Sequence, residues 1–410
     1  MLLALDDTDG PDGGCTTHVA TRILAALGTE ALAAPARLVR LHPANRWKTR
    51  GNAAVVLPLR ETREPEATLE AAWQVVTEHA RVSAGKGAGL ALFQEPPEEA
   101  WYWRGVQGMI PMEEARVALE GVATRSLGTG RGRIGCLAAA AWRPQEGATW
   151  ELIAYREPER VGTLRQVDAT TLHRIQATFP HIFDCVDATS GHACMVPRTP
   201  CPVLFGLRGD RRTHLDGALG LVASEPIHAT TLFQTNQASD HHIRPSELTW
   251  CRATRRPEAL PGGHVRLETE SRTGEAVTCL AYEPTGRLRH AVLAIRPGDH
   301  VLPVGSRHEA RINLEKILHA PAPTRLKPDC PHCQRPMASQ GRRAPLKCPG
   351  CSHRAPAIYT RAAPRWYEAD ASARRHLARP LALGLAPHVA RAAQDVPSAS
   401  RPGAVPELPQ

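Results

Sequence analysis

Four cysteines near the C-terminus constrain this chain more than any other feature. Cys330 and Cys333 form one Cys-x-x-Cys pair, fourteen residues follow, and Cys348 and Cys351 form a second pair. Each pair can form a turn that directs two thiolates at one metal ion, and two such turns complete a tetrahedral zinc site. Four thiolate ligands leave no open coordination position. The spacing therefore predicts a structural Zn²⁺ in a zinc ribbon, with a redox dithiol as the alternative.

The rest of the sequence is typical of a cytoplasmic protein. Seven further cysteines are scattered, and no stretch approaches the roughly eighteen apolar residues that cross a bilayer. The apolar start 1–5 turns acidic at Asp6, which favours a buried strand over a signal peptide. We therefore expect no membrane partner, and we expect most of the scattered cysteines to be small buried hydrophobic residues.

The positive charge of the chain is concentrated around the four cysteines. Residues 320–380 contain twelve Lys and Arg but only three Asp and Glu, which accounts for the whole formal charge of +9. Phosphate neutralisation supplies most non-specific affinity for nucleic acid, so the segment indicates either a polyanionic partner or a solvated basic surface. The candidate RNA-binding residues are Arg335, Arg342, Arg343, Lys347 and Arg354.

The length of 410 residues predicts two to four domains, and the patterns indicate a multidomain α+β protein. Strands are expected over 2–5, 36–41, 53–59, 151–156, 201–207 and 230–235, and helices over 16–27, 69–79, 113–123, 169–178 and 215–223. Short strands and turns over 247–318 favour an OB-fold β-barrel, or another small structural barrel. We divide the chain into 1–150, 151–243, 244–320, the ribbon 325–360 and a partly disordered C-terminal segment 361–410, with disorder expected after about residue 383.

An acidic run follows the first strand. Asp6, Asp7 and Asp9 stand at its end, where a few carboxylates can hold Mg²⁺ that carries nucleotide phosphates. Thr16 and Thr17 begin the next helix, where backbone N–H groups and the helix dipole favour phosphate. The alternative is an Asp-rich turn followed by an ordinary helix cap.

Two further loops are phosphate-binding candidates. The loop 45–52 between two strands carries Lys48, Arg50, Gly51 and Asn52, and it is either a phosphate site or a solvated basic hairpin. The stretch 128–135 matches G-x-G-x-x-G, but a helix is expected before it, so the dinucleotide fingerprint lacks its required context. Its residues Gly130, Arg131 and Gly132 either cradle phosphate or form a tight packing turn.

Two further polar loops stand out: 199–210 ends the expected strand 201–207 in an arginine between two glycines, and 235–242 follows the strand 230–235. Each either lines a site or forms a satisfied turn network.

The motifs occur in the order they take in the archaeal tRNA-isoleucine 2-agmatinylcytidine synthetases, which the chain resembles over about 1–381. The resemblance rests on the acidic run, the segment 40–52, the glycine turn, the two polar loops, the cysteine ribbon and RHL-x-RPL at 375–381. It implies a kinase-like α/β domain, a ferredoxin-like domain, an OB-fold β-barrel and a zinc ribbon. The chain departs from the family pattern at His42, at Ala53 and over 83–89.

The implied reaction is an ATP-dependent ligation. Agmatine replaces the C2 oxygen of the wobble cytidine in the CAU anticodon of an isoleucine tRNA, through a phosphorylated cytidine. In the family the residue at Thr16 becomes autophosphorylated, so Asp6, Asp7, Asp9 and Thr16 are the expected catalytic residues. A dicationic amine needs carboxylates to replace its water. The candidates in the second domain are Asp184, Asp187, Asp210 and Asp240.

Two other classes of function compete with this one. A non-catalytic RNA- or single-stranded-DNA-binding protein would leave the acidic run and the helix start at Thr16 without a task. A small-molecule kinase would leave the basic ribbon without one. We therefore expect a tRNA ligase that uses ATP, Mg²⁺ and Zn²⁺, with agmatine and the tRNA as partners.

Overall fold

The computed structural model describes residues 1–10, 13–48, 51–61, 64–82, 85–145, 147–341 and 344–397. The chain forms two compact units. The first consists of Met1–Arg244, Pro284–Gly286 and Ala369–Ala386; the second consists of Pro245–Glu283, Arg287–Glu368 and the residues from Pro387. The multidomain α+β class predicted from the sequence is confirmed.

The first unit contains eight strands and seven α-helices within the described residues. In chain order they are β1 Leu2–Asp6, α1 Thr16–Leu27, β2 Arg37–Arg40, β3 Ala53–Pro58, α2 Pro65–His79, β4 Gly89–Phe93, α3 Ala100–Gln107, α4 Met112–Ala118, β5 Ala123–Ser126, α5 Gly132–Ala140, β6 Thr149–Arg156, α6 Ala169–Thr178, β7 Val203–Gly209, α7 Arg212–Leu219 and β8 Ile227–Thr235.

All eight strands belong to one sheet, in the order β5-β4-β1-β3-β2-β8-β6-β7. Neighbouring strands are antiparallel except β2 and β8, which run parallel and pair Arg37 with Gln234 and Leu38 with Thr235. The strands from the first 150 residues are thus joined to those of the following segment by one short parallel contact.

The sheet is buried on both faces because its residues alternate. In β1, Leu2 and Ala4 pack in the cluster that includes α3 and α5, whereas Leu3 and Leu5 pack on the opposite face against α1 and α2. This is the period-2 pattern of a strand. A third cluster lies around β6 and β7 and is covered by α6 and α7.

The second unit has a closed barrel at its centre. Its elements are β9 Cys251–Ala253, β10 Glu258–Ala259, β11 Val265–Ser271, β12 Ala276–Ala281, α8 Arg287–Leu293, β13 His300–His308, β14 Arg311–Ala320, β15 Thr324–Arg325, β16 Ala338–Ser339, β17 Leu346–Lys347, β18 Arg354–Ala355, β19 Tyr359–Thr360, β20 Arg365–Glu368 and α9 Pro387–Gln394. The ring β11-β12-β14-β13-β9 closes because β9 pairs with both β13 and β11. This five-stranded barrel agrees with the expected OB-fold.

The cysteine segment forms a ribbon of three short strands, β16, β17 and β18. Each Cys-x-x-Cys turn is closed by backbone hydrogen bonds: Cys330 N–H donates to Arg335, and Cys348 N–H donates to His353. The residue after each turn has a positive φ, 56° at Gln334 and 62° at Ser352.

Several local predictions were wrong. The helix expected over 113–123 ends at Ala118, and Ala123–Ser126 is the strand β5. Gly121 adopts φ 80° after α4, a conformation that ends helices readily, and the strand then pairs with β4. The glycine stretch therefore lies between a strand and the helix α5, and the expectation of a preceding helix was wrong. The sequence reading also missed β4, α3 and α8, the last of which interrupts a region expected to be all β.

The expectation of disorder after about residue 383 was wrong for the helix α9. Val389 is fully buried, and the indole N–H of Trp250 donates to the carbonyl of Ala392 at 3.0 Å.

Among the scattered cysteines, Cys15 and Cys194 are partly exposed and the other five are buried, as most were expected to be. No helix of the described residues has the length and apolarity that crossing a membrane requires.

One ion pair is wholly buried inside the first unit. The Arg156 guanidinium donates to Glu225 at 2.6 and 3.1 Å, and both side chains have no exposed surface. The same guanidinium donates to the carbonyls of Thr163 and Leu164. Loss of one partner would leave the other charge buried and uncompensated.

We expect Glu225→Ala to lower the free energy of unfolding by about 3–5 kcal/mol, measured by urea denaturation followed by circular dichroism. The matched control is Glu157→Ala, which removes the partly exposed partner of His228. That change should cost less than about 1 kcal/mol. Equal losses in the two variants would contradict the role assigned to the buried pair.

Candidate active site

One cavity of the first unit collects most of the residues predicted to carry the chemistry. Its volume is about 370 Å³, within the roughly 300–1,000 Å³ of small-molecule sites. The predicted residues that line it are Asp6, Asp7, Asp9, Thr16, Thr17, Lys48, Gly51, Asn52, Arg131 and Gly132. Gly130 is not among the lining residues, and Arg50 lies outside the described residues.

The acidic end of the cavity is built where β1 ends. Asp7 has a φ of 56°, and its N–H donates to the carboxylate of Asp6 at 2.7 Å. The carboxylate of Asp7 in turn accepts the N–H of Gly87 at 2.9 Å. The turn therefore fixes two neighbouring carboxylates by backbone hydrogen bonds before any ligand is bound.

Glycines of α5 make room for Asp6. A Cβ added at Gly135 would lie 1.8 Å from the Asp6 carboxylate, and one added at Gly132 would lie 2.6 Å from the Asp6 carbonyl oxygen. The N–H of Gly132 donates to the carbonyl of Gly87 at 2.7 Å. The glycine stretch thus brings the helix close enough to Asp6 to cover it.

This packing places carboxylates where a negative charge is costly. Burial, and then the charge of Asp7, raises the pKa of Asp6 well above its ordinary value. Burial also raises the pKa of Asp7, against the opposing hydrogen bond from Gly87. Crowded carboxylates of this kind gain most from a bound cation, and carboxylate oxygens are the ligands that Mg²⁺ accepts. The donor set at Asp6, Asp7 and Asp9 therefore fits Mg²⁺.

Thr16 lies at the start of α1 and lines the same cavity. Its hydroxyl accepts a hydrogen bond from the hydroxyl of Thr8 at 3.1 Å. The first turn of α1 has no acidic side chain, and Cys15 before it makes no side-chain cap hydrogen bond. The helix start thus presents a hydroxyl and the positive end of a dipole to the cavity.

A basic loop forms another wall. The Arg131 guanidinium lies 3.8 Å from the ring centroid of Trp47, and Lys48 donates to the carbonyl of Pro43. Asn52, with a φ of 44°, donates its side-chain amide to the carbonyl of His42 at 2.8 Å. These contacts hold Trp47, Lys48 and Asn52 in place at the wall of the cavity.

Three charged residues from separate strands meet inside the cavity. Glu151 of β6 accepts from Arg40 of β2 at 3.2 Å and from Arg208 of β7 at 3.3 Å. The Gln237 amide also donates to Glu151, at 2.5 Å. Burial alone would raise the pKa of Glu151, but Arg208, Arg40 and the Gln237 amide hold it below its ordinary value. The carboxylate therefore stays ionised between two guanidinium groups.

The four aspartates predicted to bind the amine do not line this cavity. Asp184 is paired with Arg374, and Asp187 accepts the N–H and the hydroxyl of Ser372. Asp210 is paired with the ring of His181, and Asp240 accepts the backbone N–H of Arg379 at 2.8 Å. Each of the four has a structural contact, and their role in amine binding stays a prediction.

The sequence alone assigned no role to five residues of this region. Arg40 and His376 stood inside motifs that carried the family resemblance, and Arg208 and Gln237 stood inside the two polar loops. The fifth, Glu151, was part of an expected strand. The signal in the sequence was a carboxylate among apolar residues, and the structure shows that this carboxylate is buried. Of the five, all but Gln237 line the cavity.

The four cysteines of the ribbon meet in one cluster. Their sulfur atoms all lie within 4.8 Å of one another, with separations of 3.5 Å for Cys330 and Cys351 and 3.3 Å for Cys333 and Cys348. A tetrahedral zinc with Zn–S bonds of about 2.3 Å requires sulfur separations of about 3.8 Å. The cluster therefore fits a metal ion held by four thiolates.

Three of the five basic residues predicted to bind RNA lie on the ribbon that holds this cluster. Lys347 belongs to β17 and Arg354 to β18, and the side chain of Arg335 packs beside Gly350. Arg342 and Arg343 lie outside the described residues.

Two family models match the chain from residue 2 to residue 242. The family model described as the TiaS TCKD domain matches residues 2–130, and the one described as the TiaS FLD domain matches residues 130–242. The glycine stretch and α5 thus fall at the start of the second matched domain.

Full-length similarity extends well beyond those two domains. The isoleucine-tRNA 2-agmatinylcytidine synthetase TiaS of Methanosarcina mazei is 33% identical, over 93% of this chain and 97% of its own. A solved complex of TiaS with its isoleucine tRNA and ATP is 32% identical with a TM-score of 0.79. A second complex, with the tRNA, AMPCPP and agmatine, is 30% identical with a TM-score of 0.77. Both alignments cover 93% of this chain and 96% of the other. The chain belongs to the TiaS family of isoleucine-tRNA 2-agmatinylcytidine synthetases.

Proposed function

We propose that this protein ligates agmatine to C2 of the wobble cytidine in the CAU anticodon of an isoleucine tRNA, with consumption of ATP. The observation that carries the proposal is the shared cavity, in which carboxylates, a threonine at a helix start and a basic wall converge. Its relatives are named for this reaction, and related structures hold the tRNA, an ATP analogue and agmatine together. The product is 2-agmatinylcytidine.

The chemistry requires an activation step. The C2 oxygen of cytosine is a poor leaving group, so it is first phosphorylated at the expense of ATP. The primary amine of agmatine then attacks C2, and the phosphate departs with the former oxygen. Phosphoryl transfer depends chiefly on positioning and charge neutralisation. A cavity with both carboxylates and cations provides these two requirements.

For the first step we assign roles by charge and position. Asp6, Asp7 and Asp9 would hold Mg²⁺, which when bound neutralises phosphate charge. Thr16 stands at the phosphoryl-transfer centre, and Thr17 offers a second hydroxyl at the same helix start. The remaining residues that contact ATP or its phosphates are Lys48, Arg50, Gly51, Asn52, Gly130, Arg131 and Gly132.

We expect Asp7→Asn to lower tRNA-dependent ATP turnover by about two orders of magnitude or more, because one charge of the cation site is lost. The amide oxygen can still accept the Gly87 N–H, so the melting temperature should change little. Turnover is measured by phosphate release, with the exposed Glu95→Gln as the control. Near-normal turnover in both Asp7→Asn and Thr16→Val would contradict the proposal that the acidic turn and Thr16 take part in phosphoryl transfer.

For the tRNA we propose that the ribbon and the barrel grip phosphates at a distance from the chemistry. C2 of a stacked cytidine is not accessible, so the nucleotide is turned out of the anticodon stack at a cost of a few kcal/mol. Contacts from Arg335, Arg342, Arg343, Lys347 and Arg354 offset that cost. The ribbon needs a structural Zn²⁺ on its four cysteines for this task, because so small a fold has almost no core of its own.

We expect one zinc ion per chain by elemental analysis. Cys348→Ser should lose the zinc, unfold the ribbon locally and weaken tRNA binding, while ATP binding is kept. Cys279→Ala, which removes a buried thiol of the barrel, is the control and should keep the metal. A wild-type protein without bound metal, or a Cys348→Ser variant with unchanged tRNA affinity, would contradict the proposal.

The decisive experiment is mass spectrometry of the nucleosides from an unmodified tRNA transcript. After incubation with ATP, Mg²⁺ and agmatine, 2-agmatinylcytidine should appear only when all components are present. A transcript with uridine at the wobble position is the matched control and should stay unmodified. ATP turnover without a tRNA product would favour a small-molecule kinase, and binding without turnover would favour a non-catalytic RNA-binding protein.

The remaining assignments follow from this function. We propose a cytoplasmic enzyme, since its substrates are cytoplasmic. We also propose the division into an ATP-binding domain 1–150, a ferredoxin-like domain 151–243, an OB-fold domain 244–320 and a ribbon 325–360, followed by a C-terminal segment. The first two share one sheet.

A further inference from the structure

Two distant segments of the first unit hold each other in place. The loop 235–240 and the segment 375–381 are joined by backbone hydrogen bonds from Ala238 to His376 at 2.9 Å and from Asp240 to Leu377 at 2.8 Å. Arg379 closes the contact, because its backbone N–H donates to the Asp240 carboxylate and its guanidinium donates to the Ala238 carbonyl. The consequence of this contact is the position of one side chain, His376.

His376 lines the cavity that contains the acidic end and Thr16. Its ring approaches Gly51 so closely that a Cβ added there would lie 3.2 Å from Nε2 and 2.4 Å from the Arg40 guanidinium. Gly51 also lines the cavity. The Nε2 edge of the imidazole therefore faces the part of the cavity between β2 and the basic loop.

A chain of hydrogen bonds fixes the tautomer of this imidazole. The ionised Glu151 can only accept, so the group that faces it at 2.5 Å is the NH₂ of Gln237. The carbonyl oxygen of Gln237 then points the other way, 3.1 Å from Nδ1 of His376. Because that oxygen can only accept, Nδ1 carries the hydrogen, and Nε2 keeps a free electron pair.

The charges around His376 keep it neutral. Burial, and then the positive charges of Arg40, Arg208 and Lys48, hold the pKa of His376 well below its ordinary value. The Glu151 carboxylate is hydrogen-bonded to Gln237, and Gln237 in turn is hydrogen-bonded to the imidazole. The same cations disfavour an additional positive charge on any amine that enters, so an ammonium group placed here is driven to lose its proton.

We propose that His376 is the general base of the second half-reaction, accepting at Nε2 the proton of the attacking agmatine amine. This inference rests on the proposed ligase function. Nε2 takes one proton from the agmatine ammonium, and the nitrogen lone pair that this frees forms the bond to C2. The electron pair of the C2–O bond leaves with the phosphate, and the departing phosphate takes the second N–H proton. The phosphate or water then takes the proton from the imidazolium, which the surrounding cations destabilise. Gln237 and Glu151 are positioning residues.

The test separates the two half-reactions in single turnovers on the tRNA transcript. His376→Gln should still form the phosphorylated cytidine from ATP, whereas the rate of agmatine addition should fall by about 100-fold. With hydroxylamine, which is already neutral near neutral pH, the same variant should lose no more than a few-fold. His228→Gln, at a partly exposed ion pair, is the control and should behave as the wild type.

Equal losses with agmatine and hydroxylamine would overturn the assignment, because a merely structural role does not distinguish the two amines. If wild-type enzyme formed no phosphorylated cytidine at all, the proposed function itself would fail.

A second measurement does not depend on the folding of a variant. In wild-type enzyme saturated with agmatine, an internal base predicts an addition rate that is nearly constant from about pH 6.5 to 8.5. Without an internal base, deprotonation by hydroxide would raise the rate by about tenfold per pH unit, since the amine titrates near the range of lysine. A slope of that size would refute the role of His376.

Discussion

The cavity that we propose as the active site depends on one short seam in the eight-stranded sheet. Strands β2 and β8 share two residue pairs, Arg37 with Gln234 and Leu38 with Thr235. The seam is then extended by a side chain: the Asn236 amide accepts the Arg40 N–H at 2.7 Å and donates to the Arg40 carbonyl at 2.8 Å. The Asn236 side chain thus makes the pair of hydrogen bonds that a neighbouring strand would make. It holds Arg40 in a position where its guanidinium contacts the carboxylate of Glu151 on the other side of the seam.

The same seam explains why the residues that line the cavity come from distant parts of the chain. The acidic turn follows β1, the basic loop follows β2, and Glu151 and Arg208 project from β6 and β7. Buried charges from both sides compensate one another across the seam. A buried charge that loses its partner is far more costly than an exposed one, so the polar centre also holds the two halves of the sheet in register.

Local patterns in the sequence were sufficient for much of this architecture. The helix Thr16–Leu27 and the strand at Leu2 follow from periodicity, and the cysteine cluster follows from spacing. The strand at 123–126 was missed because its pairing with β4 outweighs the helical propensity around it. The role that we propose for His376 could not be predicted from the residues alone, because it depends on hydrogen bonds between loops about 140 residues apart. The aspartates 184, 187, 210 and 240 were chosen by charge alone, and their role in amine binding stays a prediction.

The late position of His376 in the chain has a consequence for biosynthesis. The segment Ala369–Ala386 belongs to the first unit, yet it follows the barrel and the ribbon in the sequence. On the ribosome, the sheet, the acidic turn and the helix start can all fold before this segment has been translated. The imidazole and the backbone contacts that close the loop 235–240 arrive only with the last part of the chain. A prematurely terminated polypeptide would therefore contain the residues that we propose to bind phosphate but would lack the residue that we propose to accept the amine proton.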